Sequence, residues 1–317
     1  MHSTRWGLCG GADALASLLT GFAHICIDRD GEMGCYWVIH MDKENRMHLK
    51  RTITGMALRS TLALAVALVL AACGKEPNVV GTDLEYEQDG KPYLGYLAVD
   101  KNQEGKRPGI LLIHEWTGLG DYVKSRADQL AAMGYTVFAM DMYGKGIRAA
   151  NHDEAAKLMT QYNEDRPTMR ARMDRAMEVL KEQEGVNPES IAVIGYCFGG
   201  GAAIEYALSG ADVDAIVSFH GMLGSPNLEE DAEKIKAAMQ IHHGGDDGFI
   251  PEDVVNNLKS TLDEAGVEYN FYSYPGAVHG FTRPGAGSDK ESGIAYNKEA
   301  DVKSWDRMKE FLDAKLK

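Results

Sequence analysis

Residues 190–201 read SIAVIGYCFGGG. SIAVIGY is an apolar run of strand length, and the glycines after it open into a segment that reads as a helix to about Ser209. Between them, Gly195-Tyr196-Cys197-Phe198-Gly199 has the spacing of the G-x-S-x-G nucleophile elbow, with cysteine in the serine position. The spacing has a steric cause. An elbow holds its nucleophile on a strained strand-to-helix turn, and side chains two positions to either side would collide. A buried, inert cysteine at a tight turn is the plainer alternative, but the strand before and the helix after favour the elbow.

Outward from the elbow, strands and helices alternate. GILLIH (109–114), YTVFAMD (135–141), DAIVSFH (214–220), AMQIHH (238–243) and YNFYSY (269–274) read as strands. Residues 121–133, 153–164, 168–183, 252–264 and 296–315 read as helices. The stripe Met169, Met173, Ala176, Met177 and Leu180 on the third of these segments is read as core packing. Upstream, VVGTDLEYEQDGKPYLGYLAV forms two partly alternating segments around Asp89-Gly90, a hairpin signal. Continuous apolar strands between helices predict an α/β fold. The sheet should be mainly parallel, with helices on both faces and an antiparallel hairpin at its N-terminal edge.

Elbow enzymes take their partners in the order nucleophile, acid, histidine. Gly244-Gly245-Asp246-Asp247-Gly248-Phe249-Ile250-Pro251 follows one strand, and Pro275-Gly276-Ala277-Val278-His279-Gly280-Phe281 follows the last. Both stand where open α/β sheets place their ligands. His242 and His243 invite a metal reading, but neighbours on a strand point to opposite faces, so no metal site is expected. No cofactor is expected either.

GYCFGG, GGDDGFIP and YPGAVHGFTR, with HEWTGL upstream, together resemble the dienelactone hydrolase family of α/β-hydrolases over roughly residues 80–317. The resemblance implies hydrolysis of lactones or esters by a Cys-His-Asp triad: Cys197 as nucleophile, His279 as base and Asp247, rather than Asp246, as its orienter. Glu115 matches a family carboxylate beside the thiol, where it is expected to restrain Cys197; capping the helix near residue 121 is the plainer role. The elbow rule assigns one oxyanion donor to the N–H of Phe198 and another to the loop after strand 109–114; the family pattern places the latter at Trp116. Arg283 matches a family arginine that holds a substrate carboxylate. A second family arginine is unmatched, and Tyr143-Gly144-Lys145 offers Lys145 there, a point charge without a guanidinium fork. Tyr143, Phe198, Trp116 and His220 are candidates for the pocket wall. The substrate is expected to be a small ester or lactone, with a carboxylate-bearing one among the options.

With 33 basic and 47 acidic residues the net charge is −14, which disfavours nucleic acid as a partner. STLALAVALVLAA (60–72) is too short to span a bilayer and suits the apolar core of a secretory signal, with Lys50, Arg51 and Arg59 as its basic flank. Leu70-Ala71-Ala72-Cys73 then resembles the lipobox of bacterial lipoproteins, which implies a lipid on Cys73. The expected organisation is therefore a non-native extension over 1–46, a signal over 47–72, a tether over 73–78 and one hydrolase domain over 79–317. Processing would leave Cys197 as the only free thiol in a protein anchored in the bacterial envelope and facing the periplasm, or in the cytoplasm if the signal is unused. Two other functions compete: a non-catalytic envelope binding protein on the same scaffold, and a thiol redox protein that relies on an external thiol to resolve Cys197. The sequence leaves the oligomeric state open.

Overall fold

The computed structural model describes residues 20–27, 33–40 and 76–317. The chain divides into two units, Met1–Lys75 and Glu76–Lys317. In the first, β1 (Thr20–Ile27) and β2 (Met33–His40) pair antiparallel. The signal segment, its lipobox and Cys73 lie outside the described residues.

The second unit is built on an eight-stranded sheet. It opens with β3 (Val79–Gln88) and β4 (Lys91–Asp100), antiparallel across the two-residue turn Asp89-Gly90. Both turn residues have positive φ, 51° and 70°, the backbone sense that matches the twist of a two-residue hairpin. Then follow β5 (Arg107–Ile113), β6 (Thr136–Ala139), β7 (Val186–Tyr196), β8 (Ala215–Phe219), β9 (Ala238–Gly244) and β10 (Tyr269–Tyr274). The spatial order is β10-β9-β8-β7-β5-β6-β4-β3. From β6 to β10 every pairing is parallel, and the hairpin joins antiparallel through β4 and β6. This is the expected α/β-hydrolase architecture.

Boundaries differ where tertiary contacts decide them. β6 keeps only four residues of the predicted seven. β7 begins four residues early, because Val186 and Asn187 pair with Arg107 and Pro108 before a register shift at Pro108/Gly109.

The helices longer than one turn are α1 (Asp121–Ala132), α2 (His152–Glu164), α3 (Arg166–Lys181), α4 (Phe198–Leu208), α5 (Glu252–Glu264) and α6 (Lys298–Leu316). Alternation along the strands feeds two cores. Ile110, Leu112, Ala192 and Ile194 pack with Val123, Ala127 and Leu130 of α1 and with Met308 and Leu312 of α6. Leu111, Ile113 and Val193 face the other way, onto α3, α4 and α5. Met169, Met173, Met177 and Leu180 of α3 are buried there, as a packing stripe should be. On the same face, Arg166 and Arg170 each reach the buried Glu205 carboxylate of α4 at 2.5 Å.

Candidate active site

Where β7 gives way to α4, Cys197 adopts φ 56°, ψ −117°. That is the left-handed half of the map, costly for any residue with a side chain. The turn is possible because of its flanking glycines. A Cβ on Gly195 would land on the Gly199 carbonyl, and one on Gly199 on the Ile113 carbonyl of β5. The Cys197 N–H donates to Phe219 O of β8 at 3.0 Å, which ties the elbow to its neighbouring strand.

The turns after β9 and β10 converge on this thiol. His279 Nε2 lies 3.1 Å from Cys197 Sγ, and Nδ1–H donates to Asp247 Oδ2 at 2.8 Å. Asp247 is oriented in turn by the Phe249 N–H, which donates to Oδ1 at 3.0 Å. The neighbouring Asp246 faces away and accepts from the Gly276 N–H at 3.2 Å. Cys197, His279 and Asp247 are all buried.

Burial opposes charge on His279. The Cys197 sulfur and the Asp247 carboxylate outweigh that penalty, and its pKa is pushed up to about 10. The imidazoles around it behave oppositely. Burial, with the positive charge of His279 behind it, drives His220 well below the ordinary range, and burial also lowers His243. His279 is thus the imidazole that carries the positive charge. His242 and His243 point to opposite faces: Tyr274 Oη and Gln240 Oε1 flank the first, and the second packs against Phe271.

Above the thiol is a cavity of about 770 Å³. Glu115, Trp116, Cys197, His279 and Arg283 all line it. The Glu115 carboxyl is directed at Arg283, with Oε2 3.8 Å from Nε, while the hydrogen-bond partner of Sγ is His279. Burial raises the pKa of Glu115 against the pull of Arg283 and His279. Glu115 does not cap α1, whose N-cap, Gly120, has no side-chain cap bond.

Phe198 is the first residue of α4, so its N–H has no intrahelical acceptor. Trp116 N–H has no acceptor among the described residues. The loop carrying Trp116 is braced from below. Burial keeps His114 neutral; the Met142 N–H donates to its Nε2 at 3.1 Å, so Nδ1–H donates to Glu115 O at 2.6 Å. Tyr143 Oη donates to Trp116 O at 2.9 Å.

Other candidates fall elsewhere. Lys145 is not on the cavity wall; it is a half-exposed surface residue with Nζ 2.6 Å from Glu85 of β3. Its backbone N–H donates to Pro92 O of β4 at 3.0 Å, which ties the residue to the hairpin that carries Glu85. Tyr143, Phe198 and His220 are buried behind the wall rather than on it. Conversely, Met159, Met222, Phe249 and Ile294 line the cavity although none stood out in the sequence. They come from four separate segments, and an isolated apolar residue carries no local signal of what it faces.

The family model described as "Dienelactone hydrolase family" matches residues 94–316. A curated protein of Aquifex aeolicus (strain VF5), named "Putative carboxymethylenebutenolidase", is 31% identical over 244 residues, covering 75% of this chain and all of its own length. Among solved structures, one titled "m3DLH" is 32% identical with a TM-score of 0.72, covering 75% of this chain and 99% of its own. A dienelactone hydrolase-like promiscuous phosphotriesterase from metagenomic libraries is 29% identical with a TM-score of 0.71, again over 75% and 99% of the two chains.

Proposed function

The chain belongs to the dienelactone hydrolase family and is an ester or lactone hydrolase; from that premise we propose that it works through a thioester on Cys197, with His279 and Asp247 completing a triad. The observation that carries this reading is the unbroken line Sγ–imidazole–carboxylate, 3.1 and 2.8 Å long, at the foot of the cavity.

The thiolate is the competent nucleophile, and positively charged His279 stands beside it. Sγ attacks the substrate carbonyl, and the oxygen that gains charge is held by the N–H groups of Phe198 and Trp116. Collapse breaks the carbon–oxygen bond to the alcohol, which leaves with the Nε2 proton of His279. The neutral imidazole then takes a proton from water, whose oxygen attacks the thioester carbon. Release of the acid restores the thiolate and imidazolium. Asp247 keeps Nδ1 protonated, so Nε2 faces the chemistry throughout. Glu115 and Arg283, on the same wall, contact the bound substrate.

Purified chain assayed with p-nitrophenyl acetate and a lactone panel tests the mechanism. Cys197→Ser and His279→Ala should each lower kcat/KM by about 10³-fold or more. Retained activity in either variant would remove the triad.

We also propose that residues 47–72 are cleaved as a lipoprotein signal, leaving lipidated Cys73 to anchor the domain 79–317 in the bacterial envelope, facing the periplasm. The ordered basic flank, apolar stretch and lipobox support this. Mass spectrometry of the native protein should find a lipidated peptide beginning at Cys73. A peptide from residues 1–46 would overturn it.

A further inference from the structure

Resting on that triad reading, we propose that Thr282 is a positioning residue: its hydroxyl, clasped between His220 and Tyr122, holds the turn after β10 so that the His279 imidazole meets the Cys197 thiol.

Residues 280–283 close a tight turn directly after His279. Gly280 has φ 68°, and the Arg283 N–H donates to Gly280 O at 3.0 Å. On the outer side the N–H groups of Ala295 and Asn297 hold the carbonyls of His279 and Phe281. On the inner side the anchor is Thr282, which is 1% exposed. Its Oγ1 lies 2.7 Å from His220 Nε2 and 2.6 Å from Tyr122 Oη. Its carbonyl accepts from Arg126 Nη2 at 2.8 Å and from Tyr122 Oη at 3.1 Å. Both polar groups of one residue are thus taken up by side chains from α1 and from the end of β8.

The protons can be placed. Burial keeps Tyr122 protonated, and burial with the charge of His279 keeps His220 neutral. If His220 Nε2–H donates to Oγ1, the Thr282 hydroxyl donates to Tyr122 Oη and Tyr122 donates to Thr282 O. Every hydrogen then has an acceptor, and only the Nδ1 lone pair of His220 lacks a partner among the described residues. The opposite tautomer would bury an N–H with no acceptor.

The inner anchor is shared with the nucleophile. His220 leaves β8 at φ 38°, a left-handed conformation costly for a residue with a side chain, and its N–H donates to His242 O at 2.7 Å. The carbonyl just before it, Phe219 O, accepts the Cys197 N–H at 3.0 Å. One dipeptide therefore refers both partners to the same place: Phe219 holds the elbow through its backbone, and His220 holds the turn of the base through its ring. That ring also stands edge-on to His279 at 5.3 Å. Thr282 itself is not on the cavity wall, so its hydroxyl acts through the turn and not through contact with substrate.

The test compares Thr282→Val, which keeps the shape and removes the hydroxyl, with Thr282→Ser, which keeps the hydroxyl. Tyr122→Phe, which removes only the outer half of the clasp, completes the set. With p-nitrophenyl acetate, Thr282→Val should lower kcat about tenfold or more without raising KM, because the imidazole loses its aim while the wall stays in place. Thr282→Ser should keep kcat within about threefold of the wild type, and Tyr122→Phe should lower it severalfold. Melting temperatures are measured alongside. A Thr282→Val protein that melts lower yet retains wild-type kcat well below its transition overturns the proposal, since the hydroxyl would then only stabilise the fold. So does a Thr282→Ser protein as slow as Thr282→Val, or a raised KM with kcat intact. If Thr282→Val does not fold, Tyr122→Phe decides, and wild-type kcat in that variant overturns the proposal. A wild-type rate no higher than that of Cys197→Ser strikes the esterase reading instead.

Discussion

Cys197 and His279 are 82 positions apart in the chain and 3.1 Å apart in space, and their chemistry follows from that single distance. A sulfur able to carry negative charge and a carboxylate on the far nitrogen make protonation of the ring favourable even where burial opposes it. The consequence for stability has a definite sign. A histidine whose pKa rises from 6.5 to about 10 on folding contributes stability fully present below about pH 6.5 and lost as pH climbs toward 10. The melting temperature should therefore fall across that window, and His279→Gln should flatten the fall; parallel slopes in the two proteins would contradict it. Sequence already pointed to Cys197 and His279, because each sits in a glycine-rich turn directly after a strand, while the choice of Asp247 over its neighbour Asp246 rested on the family resemblance. Lys145 shows the limit of such reading. Its type suited an anion site, but a side chain's direction depends on what surrounds it, and the acidic Glu85 of the hairpin lies on the outside.

At the scale of elements, the elbow is held by close approach of backbones rather than by side-chain contacts. Because a Cβ on Gly195 meets the Gly199 carbonyl, Gly195→Ala should destabilise the fold by about 2–3 kcal/mol. For a domain of this size that lowers the melting temperature by roughly 5–10 °C. Activity should fall as well, since relief of the clash moves the thiol. A variant that melts and turns over like the wild type would mean the turn relaxes without cost. Between α3 and α4, the Glu205 carboxylate accepts from Arg166 and Arg170 while fully buried. Glu205→Ala removes the carboxylate that Arg166 pairs with and leaves Arg170 with Asp231, at 2.8 Å; it should cost about 3 kcal/mol, read as a shifted denaturation midpoint with an unchanged slope. The apolar stripe of α3 announced that it would pack in the core. It did not announce this cluster, because charged residues on a helix read as a solvated face until a neighbouring helix covers them.

For the whole molecule, the eight-stranded sheet with its hairpin and the candidate site fall within Glu76–Lys317. A chain beginning at Glu76 should accordingly fold and hydrolyse p-nitrophenyl acetate with a kcat/KM within about twofold of the full-length protein. Loss of folding or activity would give residues 1–75 a part in the domain. The sequence by itself determined the class of this protein: continuous apolar strands dictate a buried, mainly parallel sheet, and glycine spacing around Cys197 dictates a turn that few other residues could make. These are local properties, written in neighbouring residues. Only the tertiary structure decided the strand order that inserts β6 between β4 and β5, the facing of Glu115 toward Arg283, and the apolar wall assembled from separate segments. Those depend on which surfaces meet when the chain closes on itself, and the free energy of that meeting is shared among residues far apart in sequence.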